Sequence, residues 1–305
     1  MSKKIVITGA SGLIGTNLCK VLISRGDEVF IFTRNFNKTK NDIPNASNYV
    51  EWDYRKPSEW SKYLNNKDAV IHLAGSNISG KRWTEDYKKI VLKSRQLSTK
   101  NLVDAIGFLN EKPSVFICAS GVNFYGDSGD ILLNEQRESG NDFLAKVCKA
   151  WEDEAANIEK TGVRRISVRT GVVLSAKEGA LKKMLIPFKF FVGGPLGNGG
   201  QWFPWLHIDD IVNIYLFCLD NESLNGPVNA CSPNLVTMNE FAKSIGKVMN
   251  RPSFFRVPEF ALYLAVGEVT KSITASLKVI PQKLLEYGYK FKFEKLEEAL
   301  RDLIK

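Results

Sequence analysis

A glycine-rich string directly after the first apolar run constrains the fold of this chain more than any other feature. Lys4–Thr8 predicts a strand, and the residues that follow read Gly9-Ala10-Ser11-Gly12-Leu13-Ile14-Gly15 before a segment with helical spacing. In a strand–turn–helix of this kind, the first glycine permits a tight turn, the second lets the backbone approach a pyrophosphate, and the third lets helix and strand pack closely. The helix N-terminus adds N–H donors and a positive dipole. The string therefore predicts a dinucleotide-binding βαβ unit in which Gly9, Ser11, Gly12, Leu13, Ile14 and Gly15 contact the cofactor.

The N-terminal half alternates short apolar runs with longer amphipathic ones, which is typical of βαβ units around a parallel sheet. Strands are predicted at Lys4–Thr8, Glu28–Thr33, Tyr49–Trp52, Ala69–Leu73, Ser114–Cys118 and Arg165–Arg169. Helical spacing covers Leu13–Ser24, Asp86–Leu109 and Phe143–Thr161. We therefore expect an α/β Rossmann fold with a doubly wound parallel sheet.

The pattern changes after Arg169. Glycine and proline become frequent, above all in Gly193–Gly200, and strand signals become sparse. We expect loops and helices there, laid over the carboxyl edge of the sheet, as the last part of a domain that spans residues 1–237. Residues 238–305 have mainly helical spacing with breaks at Pro252, Pro258 and Pro281, so we expect them to form a smaller, mainly helical C-terminal lobe.

Composition and charge exclude several kinds of protein. The 5 cysteines are far apart and the 2 histidines are not at ligand spacing, so we expect no metal site. The net charge of +9 comes from lysines and arginines spread along the chain without a basic block, so we expect no nucleic-acid partner. No apolar stretch reaches the roughly 18 residues of a membrane span, and no signal segment is recognisable. We expect a cytoplasmic protein with a small-molecule substrate and no membrane partner, and its oligomeric state stays open.

The end of the second predicted strand indicates which nicotinamide cofactor binds. An acidic side chain there would bond the free ribose hydroxyls of NAD, but the sequence reads Phe32-Thr33-Arg34-Asn35. Arg34 is placed to bind a 2′-phosphate, with Lys38 as reinforcement and Thr33 beside it. A charge-assisted hydrogen bond of this kind contributes roughly 1.5–3 kcal/mol. The sequence therefore favours NADP(H).

Short motifs along nearly the whole chain resemble one known family. They are His72-Leu73-Ala74-Gly75, Ser94-Arg95, Asp142-Phe143-Leu144-Ala145, Arg169-Thr170-Gly171-Val172-Val173-Leu174, Gly193-Gly194-Pro195-Leu196-Gly197, Gln201-Trp202-Phe203-Pro204-Trp205-Leu206-His207, Gly226-Pro227-Val228-Asn229 and Leu284-Leu285-Glu286-Tyr287-Gly288-Tyr289. With the glycine string, they resemble the extended short-chain dehydrogenase/reductase superfamily. Within it, they resemble the atypical branch labelled epimerase family proteins, or nucleoside-diphosphate-sugar epimerases.

The resemblance implies further cofactor contacts. The segment like Leu73-Ala74-Gly75 lines the adenine ribose and the pyrophosphate in the superfamily. Members of the branch bind NADP(H), and the arginines at the Arg34 and Arg95 positions contribute. The residue at the Val173 position lies towards the nicotinamide. His72 is expected to be a strand residue that faces the core.

The resemblance also implies catalytic residues that this sequence lacks. Active members of the superfamily transfer hydride with a tyrosine as acid/base and a lysine four residues later that lowers its pKa. In the register set by Glu152, these two positions hold Leu144 and Cys148, and no other register restores the pair. Ser120 and Tyr125 remain as candidate catalytic residues, because a serine hydroxyl beside a phenol could polarise a carbonyl. The similar tyrosine in the superfamily commonly shapes the pocket.

Two hypotheses of function remain open. The first is an NADP(H)-dependent oxidoreductase or epimerase-like enzyme that transfers hydride to or from a small polar substrate. The second is a catalytically impaired NADP(H)-binding regulatory or sensor protein, which the missing tyrosine and lysine favour. Phe203 stands where typical epimerases carry an arginine that clamps a substrate diphosphate. The aromatic side chains of Trp202, Phe203 and Trp205 are expected either to stack on a ligand in the cleft or to pack beneath the glycine-rich loop.

Overall fold

A computed structural model describes residues 2–304, and its largest element there is a seven-stranded parallel sheet. The strands in chain order are β1 (Lys4–Thr8), β2 (Glu28–Thr33), β3 (Asn48–Glu51), β4 (Ala69–His72), β5 (Val115–Gly121), β6 (Leu132–Leu133), β7 (Arg164–Thr170), β8 (Val172–Leu174), β9 (Trp205–His207), β10 (Gly226–Ala230) and β11 (Lys278–Val279). The sheet has the order β10-β7-β5-β4-β1-β2-β3, while β8 pairs with β9 and β6 with β11. The order reverses between β1 and β4, and ligands bind outside the carboxyl ends of strands at such a point. The expected α/β doubly wound fold is confirmed.

Helices cover both faces of the sheet and continue into the C-terminal region. They are α1 (Leu13–Ser24), α2 (Phe36–Asp42), α3 (Pro57–Trp60), α4 (Glu85–Gly107), α5 (Phe143–Ala156), α6 (Gly179–Lys189), α7 (Ile208–Asp220), α8 (Met238–Met249), α9 (Glu259–Val266), α10 (Thr270–Thr274), α11 (Gln282–Glu286) and α12 (Leu296–Leu303). The helix expected over Phe143–Thr161 is α-helical only to Ala156. A 3₁₀ helix, Asn157–Thr161, follows it, and Gly162 with a φ of 80° ends this turn. Within residues 2–304, no helix is both long and apolar enough to cross a bilayer.

Adjacent residues of the central strands are buried on opposite faces of the sheet. Ile5 and Ile7 belong to a core beneath α1 and α7, whereas Val6 belongs to a core beneath α4 and α5. Ile117 and Phe116 alternate in the same way. Because both faces are covered, these strands are almost continuously apolar, as parallel sheets require.

The strand β10 differs from the sequence expectation, which placed loops and helices after Arg169. Its residues Gly226 and Pro227 weaken strand propensity. The strand lies at the edge of the sheet and pairs only with β7, where the missing proline N–H costs no hydrogen bond to a second neighbour. Pairing with β7 therefore makes a strand of residues whose local sequence does not predict one.

The C-terminal region shares a hydrophobic core with the preceding chain. Leu296, Ala299 and Leu300 of α12 pack in one cluster with Phe241 of α8 and with Leu174 of β8. The division at residue 238 stays a prediction from sequence, because this core contains residues from both sides of it.

Candidate cofactor crevice and substrate cleft

The glycine string folds into a turn that leaves open space beside one of its glycines. Gly9 has a φ of +74°, and a Cβ atom there would lie 2.7 Å from the backbone nitrogen of Ala74. A Cβ atom at Gly15 would lie 2.7 Å from the Cα atom of Ala10. A Cβ atom at Gly12 would meet only the carbonyl oxygen of Gly9, at an ordinary 3.5 Å. Two glycines are thus required by backbone contacts, while Gly12 borders space that a ligand could fill.

The N-terminus of α1 points donors at this space. The helix begins at Leu13, and no side chain caps its first turn. Gly12 donates its N–H back to the carbonyl oxygen of Gly9 over 3.1 Å, which holds the turn closed. Ser11 and Gly12 are exposed, while Leu13 and Ile14 are half-buried. The unsatisfied first-turn N–H groups are the donors that a pyrophosphate accepts in dinucleotide-binding folds.

The end of β2 presents one unpaired cation. Arg34 is exposed, and within residues 2–304 its side chain makes no hydrogen bond or ion pair. Lys38 instead forms an ion pair with Asp42 one turn along α2. Thr33 is buried, and its hydroxyl lies 2.7 Å from that of Thr39. The guanidinium of Arg34 is thus available to a 2′-phosphate, whereas the charge of Lys38 is already balanced by Asp42.

A second arginine, Arg95 of α4, lies buried at the end of β4. One Nη atom of Arg95 donates to the carbonyl oxygens of Ser76 and Val91, each over 3.0 Å, and the guanidinium lies 4.9 Å from the ring centre of Trp151. Burial lowers the pKa of Arg95. A Cβ atom at Gly75 would lie 2.8 Å from the Cζ atom of Arg95, so the glycine makes room for the guanidinium. Among residues 2–304, no carboxylate pairs with Arg95, and a buried cation in this state favours an anionic ligand beside it.

His72 is part of the core at this edge, as expected from its place in a buried strand. Its Nδ1 atom lies 2.7 Å from the hydroxyl of Thr8, and its Nε2 atom lies 3.1 Å from the hydroxyls of Ser98 and Thr99. Complete burial, and next the charge of Arg95, lower the pKa of His72 to about 3. The ring is therefore neutral and holds the end of β4 against α4.

The two candidate catalytic residues contact a buried ion pair instead of the cleft described below. Arg169 of β7 binds Glu152 of α5 through two hydrogen bonds of 2.9 and 2.8 Å. Ser120 donates its hydroxyl to Glu152 over 2.7 Å, and Tyr125 donates to Asn229 over 2.7 Å while accepting from Arg169 over 3.0 Å. Burial raises the pKa of Tyr125 to about 12. Their catalytic role stays a prediction, and this geometry weighs against it.

The positions of the expected tyrosine and lysine are apolar or neutral. Leu144 is buried and lines the cleft. Cys148 is buried behind it, and this burial raises the pKa of its thiol to about 12. Neither side chain can exchange a proton with a substrate near neutral pH.

A cleft of about 850 Å³ opens at the carboxyl edge of the sheet. Its floor includes Val122, Asn123 and Thr170, at the ends of β5 and β7. The other walls are mostly apolar and include Met184, Phe188, Leu196, Trp202, Phe203, Met238, Ile245, Val257, Val266, Val269, Ile273 and Leu277. Polar side chains that reach the cleft are Asn77, Ser79, Lys81, Arg82, Asn123, Thr170, Lys183 and Ser272. The cleft suits a ligand with an apolar body and a few polar groups.

Two of the three expected aromatic residues line this cleft. Trp202 and Phe203 contact it, and Phe203 also packs against Phe241 with ring centres 4.5 Å apart. Trp205 is buried in β9 and donates its indole N–H to the carbonyl oxygen of Asn234 over 3.1 Å. Val173, expected near the nicotinamide, is half-buried in β8 between Val172 of the cleft and the core.

The roof of the cleft comes from the C-terminal region, under which the resemblance to the superfamily leads us to expect the substrate, although the sequence did not indicate its individual residues. Arg82 donates to the carbonyl oxygens of Tyr263 and Leu264, each over 3.3 Å. Lys88 forms an ion pair of 2.6 Å with Glu268. The loop between β4 and α4 and the first turn of α4 thus join the cofactor edge to the roof. Apolar spacing in residues 257–277 was the available signal, but it does not show which surface these residues cover.

Comparisons with known families agree with this architecture. The model of the NAD dependent epimerase/dehydratase family matches residues 5–231, and that of a domain of unknown function, DUF1731, matches residues 257–303. The epimerase family protein YfhF of Bacillus subtilis is 37% identical over 98% of this chain and 97% of its own length. The chloroplastic SDR39U1 homolog of Arabidopsis thaliana is 37% identical over 98% of this chain and 86% of its own length.

Solved structures show the same relationship. The crystal structure of human epimerase family protein SDR39U1 (isoform 2) with NADPH has a TM-score of 0.86 and 31% identity, and it covers 98% of each chain. UDP-glucuronic acid 4-epimerase from Bacillus cereus has a TM-score of 0.79 at 17% identity over 98% of this chain and 97% of its own, and it shows the fold alone. From the family match over residues 5–231 and these full-length likenesses, the chain belongs to the NAD dependent epimerase/dehydratase family and, within it, to the epimerase family proteins that carry a C-terminal DUF1731 domain.

Proposed function

We propose that this chain binds NADP(H) and acts as an oxidoreductase or epimerase-like enzyme that transfers hydride between nicotinamide C4 and a small substrate in the cleft. The observation that carries the cofactor choice is Arg34, an exposed cation at the end of β2 that has no ion-pair partner within residues 2–304, where an NAD-binding fold would carry an acid. The human relative crystallised with NADPH supports the same choice. Arg95 supplies a second positive charge beside Gly75.

The walls of the cleft support a more apolar substrate than the sequence analysis expected. Phe203 replaces the arginine that would bind a diphosphate, and most of the other wall residues are aliphatic or aromatic. Asn123 and Thr170 provide hydrogen-bonding groups at the floor, nearest the strand ends. We therefore propose a carbonyl or alcohol compound with an apolar body, rather than a sugar nucleotide.

The cofactor choice is tested by titrating the protein with NADPH and NADH before and after Arg34→Asp. Loss of a charge-assisted hydrogen bond should weaken NADPH binding about ten- to a hundredfold, while NADH binding changes little. Arg137→Asp is the matched control, since Arg137 is also exposed and lies elsewhere in the chain. An unchanged preference for NADPH in Arg34→Asp would contradict the proposal.

The second candidate, a cofactor-binding sensor without turnover, is favoured by one observation. Leu144 and Cys148 occupy the positions of the missing acid/base pair, and the hydroxyls of Ser120 and Tyr125 are bound to buried partners. A screen of carbonyl and alcohol compounds separates the two candidates. Oxidation of NADPH above background supports the enzyme, particularly if Met184→Trp, which fills the cleft, abolishes it. Tight NADPH binding without turnover of any compound supports the sensor.

The catalytic prediction for Tyr125 has its own test once a substrate is found. Full turnover by Tyr125→Phe would exclude the phenol as acid/base. A loss of turnover at unchanged melting temperature would restore it as a candidate.

A further inference from the structure

Exposed aromatic and aliphatic side chains gather beside the mouth of the cleft. At the end of α6, Phe190 is 73% exposed, and Phe191 and Val192 are exposed as well. Across from them, Phe254 is 74% exposed and Phe260 is 71% exposed. We call residues 186–193 and 251–264 together the cleft rim.

The two segments of the cleft rim are in contact with each other and with the cleft. The N–H of Phe255 donates to the carbonyl oxygen of Gly193 over 3.2 Å, and the guanidinium of Arg251 lies 4.3 Å from the ring centre of Phe191. Pro187 from the first segment and Val257 from the second both line the cleft. The rim is therefore a continuation of the apolar cleft onto the surface.

The helix α9 lies on the surface and contributes no buried residue to a hydrophobic core. None of its residues is buried, although its sequence, Glu-Phe-Ala-Leu-Tyr-Leu-Ala-Val, is almost entirely apolar, and Leu264 is 71% exposed. A helix that is apolar on nearly all sides is normally buried in a soluble protein. In the first segment, Phe191 adopts a left-handed φ of 63°, which is uncommon for a residue other than glycine. Such backbone strain persists mainly at functional sites.

An excess of basic side chains accompanies this apolar surface. Residues 179–193 and 251–274 contain six basic side chains against two acidic ones, and one of those acids, Glu268, already pairs with Lys88. The basic residues are Lys182, Lys183, Lys189, Arg251, Arg256 and Lys271. Within residues 2–304, none of the six forms an ion pair. The combination of exposed aromatic rings with an excess of cations is typical of surfaces that bind anionic bilayers.

We propose that the cleft rim docks this protein on the surface of an anionic lipid bilayer. The phenylalanines enter the boundary between headgroups and acyl chains, and the lysines and arginines face the lipid phosphates. A second copy of the chain fits less well, because two rims would bring like charges together. The proposal revises the expectation of no membrane partner, and it concerns a surface contact that is independent of cofactor binding.

Flotation with lipid vesicles tests the proposal. The full chain should float with vesicles of equal parts phosphatidylglycerol and phosphatidylcholine, and much less with phosphatidylcholine alone. The triple variant Phe190→Ser/Phe254→Ser/Phe260→Ser should bind the anionic vesicles at least about tenfold more weakly. Phe108→Ser is the matched control, because Phe108 is 90% exposed at the far end of α4, towards the opposite edge of the sheet.

A charge variant provides a second measurement. Lys182→Glu/Lys189→Glu should weaken binding to the anionic vesicles by roughly fivefold or more for each charge removed, and salt should do the same to the unaltered protein. Unchanged melting temperature and NADPH affinity show that the variants are folded. Absence of vesicle binding by the unaltered protein, equal binding by the triple variant, or an equal loss in Phe108→Ser would overturn the proposal. Self-association that the triple variant abolishes, in place of vesicle binding, would assign the rim to a second copy of the chain.

Discussion

Replacing Gly12 by alanine should separate cofactor binding from folding. The backbone of Gly12 has φ −83° and ψ 169°, an extended conformation that alanine adopts freely. The added methyl group would meet only the carbonyl oxygen of Gly9, at 3.5 Å. A glycine-to-alanine change at a compatible position alters the free energy of unfolding by about 1 kcal/mol or less. The melting temperature should therefore move by no more than about 2–4 °C.

The same methyl group lies where the pyrophosphate must approach the backbone. An N–H···O contact needs about 2.9 Å between nitrogen and oxygen, and a methyl group in front of the backbone prevents that approach. Loss of one charge-assisted hydrogen bond costs about 1.5–3 kcal/mol, which weakens NADPH binding about tenfold to more than a hundredfold. Gly12→Ala should thus melt like the unaltered protein and bind NADPH poorly.

Gly15→Ala is the contrasting variant. Its methyl group would lie 2.7 Å from the Cα atom of Ala10, inside the packed contact between α1 and the loop. Overpacking of this kind costs about 1–3 kcal/mol, so Gly15→Ala should melt at a lower temperature. Thermal melts and NADPH fluorescence titrations of both variants make the comparison. Unaltered NADPH affinity in Gly12→Ala would show that the pyrophosphate does not lie on this loop, and the cofactor assignment would lose its geometric basis.

Three further predictions follow from buried groups. Glu152→Gln should lower the free energy of unfolding by about 3–5 kcal/mol in urea titrations, because it leaves the charge of Arg169 buried and unpaired; a change under 1 kcal/mol would contradict this. The pKa of His72 is lowered from 6.5 to about 3, so between these two pH values the unfolded chain binds a proton that the folded chain does not. The free energy of unfolding should therefore fall by about 1.4 kcal/mol per pH unit as the pH drops from 6.5 towards 3. His72→Gln should flatten this dependence, and an equally steep fall in the variant would show that other groups cause it. Gly75→Ala should displace the guanidinium of Arg95, whose Cζ atom would lie 2.8 Å from the new methyl group. NADPH binding should then weaken about tenfold at nearly unchanged melting temperature, and full affinity in this variant would show that Arg95 does not contact the cofactor.

The strands around the cofactor crevice could be predicted from sequence because their signals are local. The run before Gly9, the glycine string and the apolar strand before Arg34 each carry their own periodicity or punctuation, and the structure places all three at one edge of the sheet. The edge strand β10 could not be found in this way, since Gly226 and Pro227 hide it and only its pairing with β7 makes it a strand.

The surroundings of the candidate catalytic residues depend on contacts between distant parts of the chain. The ion pair of Arg169 with Glu152 joins β7 to α5, and it binds the hydroxyls of Ser120 and Tyr125. No spacing rule relates these four residues. The individual residues of the roof could not be named for a similar reason, because Val257 and its neighbours become cleft residues only through the fold of the C-terminal region.

The hydrophobic cluster shared by β8, α8 and α12 has a consequence for how this architecture can change. The first matched family model ends at residue 231, and the second begins at residue 257. The helix α8 lies in the gap between the two matches and packs against α12, which belongs to the second. A recombination event that exchanged only the C-terminal segment between relatives would pair α12 with a foreign helix face. The inherited unit is therefore expected to include α8, so that the roof of the cleft evolves together with the surface on which it rests.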